Sequence, residues 1–276
     1  MPEIHRFHHH AMATFFEVRI ANEERTYAAQ AAQVALDLVD KLESHLSRFR
    51  ANSEITQIAQ LLPGQQMRLS EPTFACLEVA RRIELATLGA FSVTAAALQT
   101  QVSLPKWNLL SENSSIECES GKLLFDLGAI GKGFALDRMA EILCNWDCPA
   151  YLLVAGGSSI LAGEPPSDAQ GWSCGLGEDN ASHRFMLTHT SLSGSGIAVK
   201  GNHILNPRTG QPALRTNRAW VLADTAAESD ALSTACMVLN EPEMEDVLAQ
   251  DSSWLFLLED GESARSIGSR ALPPQG

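Results

Sequence analysis

Between Phe125 and Asp137 the chain runs Phe-Asp-Leu-Gly-Ala-Ile-Gly-Lys-Gly-Phe-Ala-Leu-Asp, and no other stretch limits the possible fold as much. Residues 123–125 are expected to form a strand ending in Asp126, and residues 134–145 a helix. Gly128, Gly131 and Gly133 therefore fall at a strand-to-helix junction. A helix start presents unpaired N–H groups and the positive end of its dipole, which suits phosphate. Glycine lets a ligand come close to the backbone there. Lys132 can reach an anionic oxygen, and Asp126 can accept from a base or a ribose hydroxyl. The pattern is neither the dinucleotide fingerprint nor a P-loop. A plain strand–turn–helix would also carry glycines.

Around this junction, helices and strands alternate without a regular βαβ repeat. Residues 12–20 mix aromatic and β-branched side chains, as a strand does. Apolar residues then recur at helical spacing from Ala28 to Leu46, with Asn22 as the expected cap. A short helix is expected from Glu54. A second long one starts after Ser70, tolerates Pro72 in its first turn and ends at Gly89. Residues 97–122 look irregular. Strand-like runs at 151–154, 172–176, 185–192, 219–223 and 254–258 surround one helix at 228–239. The expected class is α+β, with one domain over residues 1–262 and a mobile tail from 263 to 276. His5, His8, His9 and His10 are expected in a disordered N-terminal arm, with a metal site as the alternative.

A formal charge of −13 over 276 residues argues against a nucleic-acid partner, which needs clustered Lys and Arg. By the same argument, an anionic ligand would need a metal ion or backbone N–H groups to offset repulsion. The six cysteines are scattered and are expected to be reduced structural thiols. No apolar run approaches the ~20 residues of a membrane span. The first residues carry no hydrophobic signal core. The expected compartment is the cytoplasm, or the periplasm if a leader has been removed.

Two further segments carry chemistry. In Ser-Asp-Ala-Leu-Ser-Thr-Ala (229–235), Asp230 and Thr234 lie four apart and share one helical face. Carboxylate, hydroxyl and a nearby carbonyl form a hard-oxygen set suited to Mg²⁺. The plain alternative is an Asp N-cap with a solvent-facing Thr. In Gly-Asn-His-Ile-Leu-Asn-Pro-Arg-Thr-Gly (201–210), His203 precedes a tight turn, where it can act as a general base or serve structure alone.

Taken together and in order, these segments resemble the ApbE family of FAD:protein FMN transferases over nearly the whole chain. MATFFEVRI looks like the family's opening Met-Gly-Thr strand, and LSRFRANSEI like its Ser-x-aromatic segment. GAFSVT is similar to Gly-x-Phe-Asp-x-Thr, and FDLGAIGKGFALD to the central motif. LLVAGGSS looks like the Gly-Gly-Asp segment and SGSG like Thr-Ser-Gly. NHILNPRTG is similar to His-x-x-Asp-Pro-x-Thr-Gly, and SDALSTA to Ala-Asp-Ala-x-Ala-Thr-Ala.

The resemblance implies a T-fold-like α+β architecture. It also implies an activity: Mg²⁺-dependent transfer of FMN from FAD to a Ser or Thr of an acceptor flavoprotein, with release of AMP. Implied metal ligands are the Ala129 carbonyl, the Asp230 carboxylate, the Thr234 hydroxyl and the Ser233 carbonyl. Implied FAD contacts are Met12, Phe49, the backbone of Ala97, Leu98 and Gln99, Asp126, Lys132 and Ile204. His203 matches the base, and Lys132 the second group stabilising the leaving phosphate. Ser92, Ser158, Asn206 and Ala59 depart from the family's pattern, and its flavin-side Trp has only the displaced Trp107 to match it. These departures leave two other readings open: a Mg²⁺-dependent FAD pyrophosphatase, and an FAD-binding protein that has lost catalysis.

Overall fold

The computed structural model describes residues 3–101, 103–176, 184–196, 204–213, 215–260 and 263–275. In chain order, β1 (Ile4–Ala11) and β2 (Thr14–Ala21) form a hairpin that leads into α1 (Arg25–Leu46) and the short α2 (Glu54–Ile58). Next come β3 (Gln66–Arg68), α3 (Glu71–Ala86), β4 (Lys106–Leu110) and β5 (Ser115–Ser120), then α4 (Gly131–Asn145). The strands β6 (Tyr151–Ala155), β7 (Ser159–Ala162), β8 (Trp172–Gly175), β9 (Arg184–Leu187), β10 (Thr190–Gly196) and β11 (Arg218–Ala223) follow. The described chain closes with α5 (Ala226–Cys236), α6 (Glu241–Leu248), β12 (Leu255–Asp260) and β13 (Ser263–Ile267).

Eight strands build one antiparallel sheet in the order β1-β2-β6-β7-β10-β11-β12-β13. Period-two alternation gives it two apolar faces. On one face Phe16, Val18 and Ile20 of β2, Leu153 of β6 and Val221 of β11 join the core that α1, α4 and α5 complete. The buried stripe of α1 is mostly alanine (Ala28, Ala31, Ala32, Ala35), which lets it lie close; Val39 and Leu42 complete it. Burying a Leu or Val contributes about 1.5–3 kcal/mol, so packing holds α1 more than helix propensity does. On the other face Leu152, Leu192, Leu222 and Leu257 meet Trp172, Phe185 and Leu187 of the β8–β9 hairpin. This is the α+β class expected. All six cysteines are unpaired, and burial pushes the Cys76 thiol up to about 12, as structural thiols require.

Several local expectations give way. The histidine-rich arm is β1, paired with β2 along its length. His5 Nε2 lies 3.0 Å from the Glu23 carbonyl and His9 Nε2 2.9 Å from Asp40 Oδ1. Asn22 does not cap α1: its φ of 67° places it in a left-handed turn, and Glu24 accepts from the Thr26 and Tyr27 amides instead. Residues 97–122 are not irregular throughout, because β4 and β5 pair and add β3 to a three-stranded sheet that buries Trp107, Ile116 and Cys118. Conversely, residues 123–125 form no strand. Leu123 and Phe125 are buried, and the Asp126 amide donates to the Val93 carbonyl at 2.7 Å, but no ladder follows. The tail also departs from expectation: β13 pairs with β12, and the Met186 amide donates to the Pro274 carbonyl at 2.8 Å.

The β1–β2 turn places both Met12 (φ 51°) and Ala13 (φ 57°) in the left-handed region. Such a two-residue turn favours glycine, because a Cβ there costs about 1–2 kcal/mol. Ala13→Gly is expected to stabilise the fold by about 1 kcal/mol, part of the relief being offset by the entropy of the unfolded chain. A denaturant midpoint that falls on substitution would contradict this.

Candidate active site

The sequence junction and the Asp230 helix meet at close range. Gly133 makes this possible: a Cβ there would stand 2.0 Å from the Ala226 carbonyl oxygen and 2.8 Å from the Ala227 amide nitrogen, so α4 and α5 approach backbone to backbone. Each helix supplies a carboxylate to the start of the other. Asp137 of α4 accepts from the Ala226 and Ala227 amides at 2.7 and 2.8 Å. Asp230 of α5 accepts from the Gly133 amide at 3.1 Å. Burial pushes the Asp137 carboxyl up to about 7 against the pull of its two amide donors.

Asp230 is therefore not an N-cap. Thr225 caps α5, and Asp230 sits a turn further in, 3% exposed. Its Oδ1 accepts from the Ser159 hydroxyl at 3.1 Å, and Lys132 Nζ lies 3.2 Å from both carboxylate oxygens. One turn on, Thr234 Oγ1 is 3.1 Å from Ser195 Oγ, which also meets Ser233 Oγ at 2.8 Å. Ser233 is fully buried and donates to the Asp230 carbonyl.

These groups open onto a cavity of about 1750 Å³, lined among others by Met12, Phe49, Gln99, Asp126, Ala129, Lys132, Ile204, Asp230 and Thr234. Arg19, Arg48, Arg50, Lys132, Arg184 and Arg218 stand among the described lining residues, and the carboxylates that pair with them include Glu17, Asp126, Glu43, Asp230 and Glu259. The amides of the α4 start are likewise largely committed. Those of Ile130 and Gly131 donate to the Leu127 carbonyl, Gly128's to Asp126 Oδ1, and Gly133's to Asp230. A phosphate entering here exchanges with existing partners or arrives with a metal ion, in line with the expectation from the net charge.

Arg48, the unspecified position of the Ser-x-aromatic segment, links two expected contacts. Its Nε lies 3.5 Å from Asp126 Oδ2, and its guanidinium carbon 4.6 Å from the ring centre of Phe49, itself 82% exposed. Trp107 is 2% exposed and packs edge-on to Phe125 in the core, whereas Trp220 lines the cavity. Trp220 lies so close over Gly194 that an added Cβ would meet its ring at 2.4 Å. Ala97 is fully buried, and its carbonyl accepts from the Thr100 and Gln101 amides. Ala95 and Ala96, rather than Ala97 and Leu98, face the cavity beside Gln99. His203 lies outside the described residues.

Two of the departures from the family pattern, Ser92 and Asn206, make local hydrogen bonds of their own. Ser92 Oγ accepts from the Thr94 amide, and Asn206 Oδ1 from the Arg208 amide at 3.0 Å, a turn that needs an acceptor but no charge. Arg208 then ties this turn to the Thr87 and Leu88 carbonyls and to Glu243, which closes the capping box of α6. The Asn240 amide first, and Arg208 after it, hold the Glu243 carboxyl below its ordinary range. A depressed carboxylate contributes stability above its unfolded value and loses it as pH falls. Glu243→Gln is expected to cost about 1 kcal/mol at pH 7. The difference from the parent should shrink as pH drops through 4.5 and below, as denaturation at several pH values would read. A gap that persists there would contradict the assignment.

An antiparallel α+β domain thus brings a carboxylate, a lysine and a glycine-bearing turn together on the wall of one large cleft. The family model described as the ApbE family matches residues 12–256, and the chain belongs to that family. The chain is similar to the FAD:protein FMN transferase of Klebsiella pneumoniae (strain 342), 21% identical over 92% of this chain and 84% of that protein. The protein of the same name from Escherichia coli (strain K12) is 20% identical at the same coverage. Among solved structures, the flavin transferase ApbE from Vibrio cholerae superposes with a TM-score of 0.80 at 18% identity, covering 98% of each chain. The ApbE protein from Thermotoga maritima does so with a TM-score of 0.78 at 22% identity, over 93% of this chain and 94% of that one. These likenesses establish the fold. Among the described residues, no helix is long and apolar enough to cross a membrane.

Proposed function

We propose that this chain is an FAD:protein FMN transferase, moving the FMN half of FAD onto a Ser or Thr hydroxyl of an acceptor flavoprotein and releasing AMP with the help of Mg²⁺. The observation that carries this reading is the buried Asp230 carboxylate, held at the start of α4 and placed with Lys132 on the wall of the cavity. The residues fit the ion: one carboxylate, the Thr234 hydroxyl and the Ala129 and Ser233 carbonyls supply only hard oxygens. Mg²⁺ is commonly held in this way, by one or two carboxylates together with substrate phosphates. When bound, Mg²⁺ supplies charge neutralisation at the pyrophosphate and polarises the phosphorus under attack.

The chain's own residues do the rest. Lys132 and the cavity arginines hold the pyrophosphate, and Phe49 offers its exposed ring to the flat part of the ligand. Asp126, oriented by the Gly128 amide, accepts from a ligand hydroxyl or base. The acceptor oxygen bonds to the FMN phosphorus as the bond from that phosphorus to the AMP oxygen breaks. His203 takes the hydroxyl proton, and Lys132 meets the charge that develops on AMP. Such a transfer needs little beyond alignment and electrostatic stabilisation.

The test is to incubate the chain with FAD, Mg²⁺ and an acceptor domain bearing an exposed Thr, following AMP release and acceptor mass. AMP together with an acceptor heavier by FMN is the expected result. AMP with free FMN would replace transfer by hydrolysis, and FAD bound without AMP would leave a binding protein.

A further inference from the structure

Ser159 opens β7, two positions after the Gly156–Gly157 turn, and is fully buried. Its cross-strand partners are Ala155 of β6 and Ser193 of β10, and the Ser193 hydroxyl is engaged with Ser229 Oγ at 2.8 Å. A buried hydroxyl without a partner would cost about 1–3 kcal/mol, so its hydrogen bond is the reason to ask what it does there. That bond goes to Asp230 Oδ1 at 3.1 Å, across 71 positions of sequence.

The two carboxylate oxygens are held differently from the two ends. Oδ1 takes the Ser159 hydroxyl and Oδ2 takes the Gly133 amide, each at 3.1 Å and each from an element other than α5. Lys132 Nζ bridges both oxygens at 3.2 Å. Two donors on fixed backbones thus clamp the carboxylate, while the third is a mobile ammonium on a flexible stem. A cation arriving from the cavity can displace Nζ and meet both oxygens without turning the carboxylate. We propose that Ser159 is a positioning residue which, with the Gly133 amide, presents the Asp230 carboxylate to a divalent cation. This role rests on the metal-dependent reading above and adds to it a residue with no part in that reading's ligand set. Donors behind a metal ligand commonly control affinity by 10–100-fold, because a carboxylate that must reorient binds less well.

The test compares Mn²⁺ affinity, by electron paramagnetic resonance of the free ion, for the whole chain and its variants, both without and with FAD. Ser159→Ala is expected to weaken Mn²⁺ binding roughly tenfold or more. Ser159→Thr and Ser159→Val form a matched pair of nearly equal shape differing in the hydroxyl. The Thr variant is expected to bind Mn²⁺ more tightly than the Val variant even if both lose stability from the extra methyl group. Thermal melts without metal report any purely structural effect, and the upward shift on adding Mn²⁺ reports affinity. Equal Mn²⁺ binding by the parent chain and Ser159→Ala, or by the Thr and Val variants, would overturn the positioning role and leave the metal site standing. A parent chain that binds no Mn²⁺ under either condition would overturn the metal site and this role together.

Discussion

Gly133→Ala is expected to lower the melting temperature by about 10 °C, the largest stability effect of any single methyl group near the site. The added Cβ would lie 2.0 Å from the Ala226 carbonyl oxygen and 2.4 Å from its carbonyl carbon. Both are backbone atoms, so no rotamer change relieves the contact, and α4 and α5 must separate by more than an ångström. Overpacking commonly costs about 1–3 kcal/mol, and a backbone collision falls at the upper end or beyond. Separation would also stretch the Asp137 bonds to the Ala226 and Ala227 amides and the Asp230 bond to the Gly133 amide. Circular dichroism melts read the loss directly. A variant melting within about 2 °C of the parent would mean that the two helices do not pack this closely.

Asp230→Asn should leave the fold intact and remove at least about 100-fold of metal-dependent AMP release, since a metal's contribution of several kcal/mol corresponds to two or more tenfold steps. The amide keeps the shape of the side chain and can still accept from the Gly133 amide. It cannot supply the charge on which a divalent cation depends, and it leaves Lys132 without the carboxylate it faces at 3.2 Å. FAD affinity, read from flavin fluorescence without metal, should change far less than turnover, because the cavity cations remain. Turnover within about threefold of the parent at saturating Mg²⁺ would place the metal elsewhere.

The two residues in these predictions were visible in different degrees from the chain alone. Asp230 and Thr234 share a helical face because their spacing matches the helix period, and the structure puts both on the cavity wall. Gly133 was visible as a glycine at a junction, but not as the contact point of two helices. Elsewhere, composition misled where pairing partners were distant in sequence. A run of histidines looks disordered until β2 lies beside it, and residues 106–120 look irregular until β4 and β5 close on β3. Leu123–Phe125 has strand-like residues and is buried, yet no neighbouring backbone is in register to pair with it. The wrong expectation for α1's cap has the same cause: Asn22 and Glu24 are both able to cap, and the turn out of β2 decides between them.

The glycine-bearing turn that most constrains the chain shows the division. The sequence by itself determined that a helix follows this turn and that backbone could pass closely there, because these depend on dihedral preference and spacing over a few residues. The helix expected from residue 134 begins at Gly131, which takes Lys132 into its first turn. Only the tertiary structure decided what the turn faces. Asp230, 98 positions from Lys132, arrives through burial of α5 against α4. Ser159 reaches the same carboxylate from the sheet, the helix-start amides are spent on Leu127, Asp126 and Asp230, and Arg48 pairs with Asp126 at the cavity. Apolar burial is non-directional and acts between segments far apart in the chain, so the environment of a carboxylate is set by which faces pack together and not by its neighbours in sequence.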